Sequence, residues 1–522
     1  MSRLWTRTMS LVIAVAVACG ILLDGQREGQ GAASMPRVVY GLSAEPVRLD
    51  PQNALDRPSF DVAINIYDGL FRIDESGKLT TLLAERWSVS GDGTVWTFTL
   101  RQGVKFHDGT DFTAEAVKFN VERVLDEKNA LAARGRWRPY IRAVEVVNAY
   151  TLRVTTPRPT SGFLYLLATP SAMIPSPSAV QKFGADFART PVGTGPFRFV
   201  SWTSGQKIVL QRNPNYFRGA PAIGAIEYRV IPEDAARVLA LESGDVDMIP
   251  NVPAQNLASL ERTGKFDIIK KPNFRVFYWA FNTTKPYFQD RRVRQAFNYA
   301  INRQLIVEKV LLGNGIPADS PLSRNHHGYV SVKKYTHDPA RARQLLREAN
   351  FDTNRKLVSL VTEGRYYMDR QVAEAAQGML REVGLNVEVR VMEWAAFVRA
   401  IWFTPHTDPV AQQRDFMQTS WGDAYPGWSL RAVLHSKAWP RDGYNEAFFA
   451  NPEVDRLIAQ IEDTVDLNRQ LDPLRRVQPL IIEEAPWIFF HFESQVLAKK
   501  KTLSGVIVLP TEYVLFGSAS MK

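Results

Sequence analysis

Cysteine is nearly missing. The chain of 522 residues has one, Cys19, close to its start. Beyond that segment no disulfide, no thiolate metal site and no thiol nucleophile can be built. Histidine is scarce too, with seven in all. His326 and His327 are adjacent, so their rings diverge on any regular element, and no third ligand stands near them in sequence; no metal is expected there. His107-Asp108 sits in a turn-like VKFHDG stretch and reads as structural. Catalytic signatures are absent as well: there is no Gly-x-Ser-x-Gly elbow, no His-Glu-x-x-His and no Asp-rich calcium loop. Gly193-Thr194-Gly195 runs into Pro196 and a strand, and lacks the Gly-Lys-Ser/Thr of a phosphate loop. No motif asks for a cofactor.

Long apolar runs are also lacking. The longest, Leu11 to Leu23, falls short of the roughly 20 residues that a spanning helix needs. Arg3 and Arg7 precede it, and Gly31-Ala32-Ala33 follows, so residues 1–33 read as a signal peptide cleaved near Ala33. Lipid anchoring at Cys19 is the rival reading. It is disfavoured because Ala16-Val17-Ala18 lacks the usual leucine and the apolar run continues past the cysteine. The rest is expected to be soluble, outside the cytoplasm.

What the chain does have is a large core. Apolar residues make up 45% and charged residues 23%, a globular balance. At this length two or three lobes are expected. The net charge of +10 is scattered apart from Lys499-Lys500-Lys501. With no nucleic-acid motif beside it, it reads as a basic surface.

Periodicity gives mixed α/β structure. Trp96, Phe98 and Leu100 alternate with threonines, a half-buried strand, and Val104 to Phe106 reads as a second one. Val117, Val121, Val124 and Leu125 recur at helical spacing. Asp290, Asp338-Pro339 and Asn451-Pro452 have the form of helix starts. Leu357–Val361, the face Val372 to Val383, and Val387, Val389 and Val391 form a strand–helix–strand crossover closed by Gly384.

Several stretches then stand in order. NIYDGLFRIDESGKLTTLLAERWSVSGDGTVWTFTLRQGVKFHDGTDFTAEAVKF runs from Asn65 to Phe119, and PVGTGPFRFVSW from Pro191 to Trp202. DRRVRQAFNYAINRQLIVEKVLLGNGIPADSPL runs from Asp290 to Leu322, and DPARARQLLREANF from Asp338 to Phe351. Together they resemble family 5 of the extracellular solute-binding proteins of ABC importers, over nearly the whole chain. The resemblance implies a two-lobed periplasmic-binding-protein fold (type II, α/β) with an extra subdomain and a ligand cleft between the lobes. Lobe I would take residues 34–72, 186–272 and 489–522, the inserted subdomain 73–185, and lobe II 273–488. Crossings near Asn273 and His491 would act as a hinge. The implied function is capture of a peptide or peptide-like solute by lobe closure and delivery to membrane permease subunits, as a monomer, without catalysis. A non-peptide cargo (an opine-like conjugate, an oligosaccharide or a metal chelate) is the alternative. An exported hydrolase is the remote one.

Ligands of open α/β sheets sit beyond the carboxyl ends of strands. Three such ends stand out: Asn282 after Val276–Phe281, the loop Glu363, Gly364, Arg365, Tyr366 after Val361, and Trp421, Asp423, Tyr425, Trp428 after Ser420. Each also has an ordinary reading as core packing, a turn cap or a solvated loop. By resemblance, Trp421 would line the cavity and Arg365 would meet a ligand carboxylate. Peptide-binding relatives carry an Asp-Pro pair for the ligand amine in the loop after this tryptophan. Pro426-Gly427-Trp428 stands there instead, so Asp423 or Glu363 would have to replace it, or the cargo lacks a free amine.

Overall fold

The computed structural model describes residues 35–54, 56–363, 365–402, 404–440 and 443–522. The expected signal segment and Cys19 lie outside them, as does Gly364. Among the described residues no helix is long and apolar enough to cross a membrane.

One 11-stranded sheet runs through the molecule. Its lobe I half is built from Arg37–Leu42, Phe197–Thr203, Lys207–Arg212, Ala225–Val230 and Met248–Ile249. Its lobe II half holds Lys356–Val361, Asn386–Val391 and Phe416–Trp421, and the short strand Ile316–Pro317 pairs alongside Trp487–Lys500. Two long antiparallel strands, Phe266–Phe281 and Trp487–Lys500, belong to both halves and carry the chain across. Their ladder is broken between Pro272 and Val276, where proline has no N–H to give. Such a break re-aims the side chains it contains, here Asn273 and Arg275.

Between the first two strands of lobe I the chain builds a separate antiparallel sheet, from Ala84–Val89, Val95–Leu100, Ala143–Asn148 and Thr151–Thr155. It has its own core, in which Trp96, Phe98 and Leu100 are buried as their alternation requires. Burying each such side chain is worth about 1.5–3 kcal/mol, so this subdomain has an apolar interior of its own. The expected strand Val104–Phe106 does not form. Phe106 donates to Thr110 and Phe112 to Val104 across a tight reversal, leaving one isolated bridge, Lys105 to Asp111.

Lobe II follows the sequence closely. Asp290, Asp338 and Asn451 cap their helices through side-chain oxygens. Lys356–Val361 pairs in parallel with Asn386–Val391 across the helix Asp369–Glu382, and Gly384 takes φ +89° just past that helix. Apolar side chains fill both faces of the sheet.

Candidate functional site

The strand directions decide which loops meet. Lys356–Val361 and Phe416–Trp421 are parallel, so the loops after them emerge at one edge, facing lobe I. Phe266–Phe281 runs antiparallel to Phe416–Trp421, with Val276 opposite Trp421 and Phe281 opposite Phe416. Asn282 therefore lies at the far edge. It is fully buried, and its amide bonds the carbonyls of Ala411 and Arg414 and the hydroxyl of Thr284. Its expected place at the ligand is corrected: the carboxyl-end rule holds for parallel strands, and this strand is not one. What it brings to the shared edge is its middle, residues 273–275.

There, charged side chains from both lobes converge. Arg275 donates to the Ser420 hydroxyl (3.1 Å) and carbonyl, and stands 3.3 Å from Glu493 and 3.9 Å from Glu512. Glu512 comes from the C-terminal return to lobe I and holds the left-handed region, φ +77°. Its carboxylate accepts from Arg57 (2.9 Å) and Asn273 (2.8 Å), and its carbonyl accepts from Arg57 as well. A non-glycine residue at that φ persists only where its surroundings over-determine it. Arg57 in turn pairs with Asp61 at 2.9 Å.

Burial pushes Asp61 up to about 6 despite the pull of Arg57, and burial likewise raises Glu493. Burial alone would raise Glu512 too, yet Arg57, Arg275 and Arg365 together hold it below its ordinary value. Arg365 thus acts on both glutamates from the lobe II loop.

Asp369 shapes that loop, its carboxylate accepting from Thr362, Arg365 N and Tyr366 N. The guanidinium of Arg365 sits 4.7 Å from the Tyr366 ring, and the Tyr366 hydroxyl meets Thr419 at 3.0 Å. Glu363 is exposed and pairs with Arg370 at 3.1 Å.

The second loop holds Trp421, whose ring lies 4.9 Å from Tyr444. A Cβ at Gly422 would stand 2.0 Å from the Phe274 carbonyl, so only glycine lets this loop cross the strand there. His326 fixes the next residue, bonding the Asp423 carbonyl at 2.7 Å. Burial lowers His326 to about 4, so it is neutral. Among the described residues no three His, Cys, Asp or Glu are grouped to hold a metal.

Asp423, Tyr425 and Trp428 face the inserted subdomain. Asp423 pairs with Arg136 at 2.6 Å, and the Arg136 guanidinium lies 4.8 Å from the Trp428 ring. Tyr425 is buried, stacked on Tyr165 at 5.1 Å and 26°, with its hydroxyl among Ser161, Gln470 and the Ile461 carbonyl. In this structure it makes a contact between the two halves and lines the small gap beside Arg136. Its hydroxyl finds partners there that a solvated groove would not supply. Nearby, Arg158 of the subdomain bonds Asp463 and stands 3.5 Å from buried Glu462.

Loops of both halves of the sheet thus meet at one edge through charged pairs. A profile of the bacterial extracellular solute-binding proteins, family 5, matches residues 78–435. The chain belongs to this family. The glutathione-binding protein GsiB of Pectobacterium atrosepticum is 32% identical over 91% of this chain and 92% of its own length. GsiB of Escherichia coli K12 is 31% identical over 93% and 94%. Among solved structures, a dipeptide-binding protein from Pseudoalteromonas sp. SM9913 in complex with Met-Leu superposes with a TM-score of 0.83 at 27% identity, covering 93% of this chain and 100% of that one. MoaA from A. tumefaciens R10, in complex with mannopinic acid, gives 0.80 at 27%, covering 94% and 100%. Members of this family are solute-binding proteins, not enzymes.

Arg57, Arg136, Arg275, Glu493 and Glu512 were not among the residues that the sequence singled out. Arg275 and Glu493 did carry a signal, a lone charge inside a run that otherwise reads as buried strand. Arg57, Arg136 and Glu512 carried none, since each stands among ordinary polar loop or helix residues.

Proposed function

We propose that this solute-binding protein captures a short peptide or peptide-like acid between its lobes, outside the cytoplasm, and hands it to an ABC permease. The observation that carries this is the convergence of Arg57 and Glu512 from lobe I, Arg275 and Glu493 from the crossing strands, and Arg365 from lobe II at one break in the ladder. A solute bridging those groups favours the shut form by its differential affinity for the two states. Bidentate arginines are the side chains suited to a carboxylate in a partly dry cleft. The glutathione-binding and dipeptide-binding relatives support an acid of that size.

The lobe limits near residues 73, 185, 273 and 488, hinge motion at 273–275 and near His491, and export by residues 1–33 in preference to anchoring at Cys19 belong to the same reading. An opine-like conjugate is the second reading, favoured by Pro426-Gly427-Trp428 and by the likeness to MoaA.

A thermal-shift panel of glutathione, Met-Leu, longer peptides and mannopinic acid separates the two, and mass spectrometry of co-purifying solute names the cargo. Arg365→Ala is expected to weaken binding of the identified acid about tenfold or more. Unchanged affinity removes Arg365 from the site. Scattering curves identical with and without a tight binder overturn capture by closure.

A further inference from the structure

The loop carrying Asp423 is preset without help from the other lobe. The Asp423 amide donates to the Ser429 hydroxyl and its carbonyl accepts from it, both at 2.9 Å. His326 holds the same carbonyl, and Tyr425 N donates to one carboxylate oxygen at 3.2 Å. The second oxygen accepts from the Arg136 guanidinium at 2.6 Å, and that guanidinium lies 4.8 Å from the Trp428 ring. A fixed carboxylate next to an aromatic face is what recognises an ammonium or guanidinium group. In this structure that group is the chain's own Arg136, arriving from the short helix Arg134–Trp137 of the subdomain. The gap left around Arg136, Tyr140, Tyr165, Tyr425 and Trp428 is about 10 Å³, room for one water and no cargo.

We propose that Asp423 and Trp428 form a cation subsite which Arg136 fills from within, so that Arg136 sets the protein against cargo presenting a free cationic group at this end of the cleft. The inference deepens the peptide-like reading and, for the cargo's chemistry, rests on it. It also fits the absence of the Asp-Pro pair: the one acid in this loop is already taken by Arg136.

The test is Arg136→Ala, with Arg136→Lys as the conservative variant and Arg136→Ala/Asp423→Asn as the control. Ethylguanidinium is the first probe, followed by titration and by crystallography of the soaked protein. Arg136→Ala is expected to take it up between Asp423 and Trp428, while the wild type, Arg136→Lys and the double variant do not. Uptake equal in the double variant, or none in Arg136→Ala, overturns the subsite.

The second arm compares Met-Leu with N-acetyl-Met-Leu by calorimetry. The wild type should hold the two alike, and Arg136→Ala should prefer the free amine by about tenfold. A ratio unchanged by the substitution overturns the selectivity. If neither protein binds either compound, the peptide-like reading fails and the guanidinium arm alone decides the subsite.

Discussion

The two ends of the cleft are both ionic, yet built differently. At the crossing strands, three arginines and two glutamates come from both lobes and from the strands joining them; Arg57, Arg275 and Glu512 each have more than one partner, and Arg365 acts on both glutamates. At the subdomain end, lobe II meets the subdomain through Arg136 with Asp423 and Arg158 with Asp463 and Glu462, set beside stacked aromatic rings. The first end is a network in which Arg57 and Arg275 share Glu512, and Arg275 also reaches Glu493. The second is a seam that joins fewer charges to stacked rings and hydroxyl contacts. In the proposed clamp the charged floor would grip the cargo and the seam would part.

The sharpest way to break this comparison is Arg275→Ala. Buried Glu493 and half-buried Glu512 then lose a shared partner, and stability should fall by about 3–5 kcal/mol in urea unfolding. A loss no larger than that of Arg136→Ala would mean that the two ends are alike. Next is Tyr425→Ala, which removes the stacked ring and should cost about 3 kcal/mol. It should also enlarge the radius of gyration of the free protein. An unchanged radius would show that the seam does not hold the lobes together.

Acidity separates the ends further. Asp61 is raised to about 6 from 3.8, so the folded state keeps its proton longer than the unfolded chain does. Its contribution is most favourable at low pH and declines as pH rises from about 4 to about 6, by about 2 kcal/mol after allowing for residual solvent. Asp61→Asn should flatten that slope when urea midpoints are compared at pH 4.5 and 7. Smallest is Gly162→Ala. A Cβ there would stand 2.6 Å from the Tyr425 ring, so the seam must shift. A loss of about 1 kcal/mol is expected in thermal unfolding, with no change at the crossing strands.

Much of the fold was legible because it depends on local rules. Alternation marked Val95–Leu100, caps marked Asp290, Asp338 and Asn451, and Gly384 marked a helix end. Val104–Phe106 misled because three apolar-flanked residues look the same in a strand and in a tight reversal. Among the site residues, the sequence could name the loops after Val361 and Ser420, since both follow parallel strands. It could not see that the strand ending at Phe281 runs the other way, and that misplaced Asn282. Nor could it see that Tyr425 and Asp423 would be taken up by Tyr165 and Arg136, more than 250 positions earlier in the chain.

The sequence by itself determined the elements, the class of fold and the family, because hydrophobic period, capping and ordered motifs act over a few residues at a time. Only the tertiary structure decided which charges share the cleft. Arg57, Arg275, Arg365, Glu493 and Glu512 are scattered over some 455 positions and become neighbours through strand direction and one broken ladder, which no local pattern encodes.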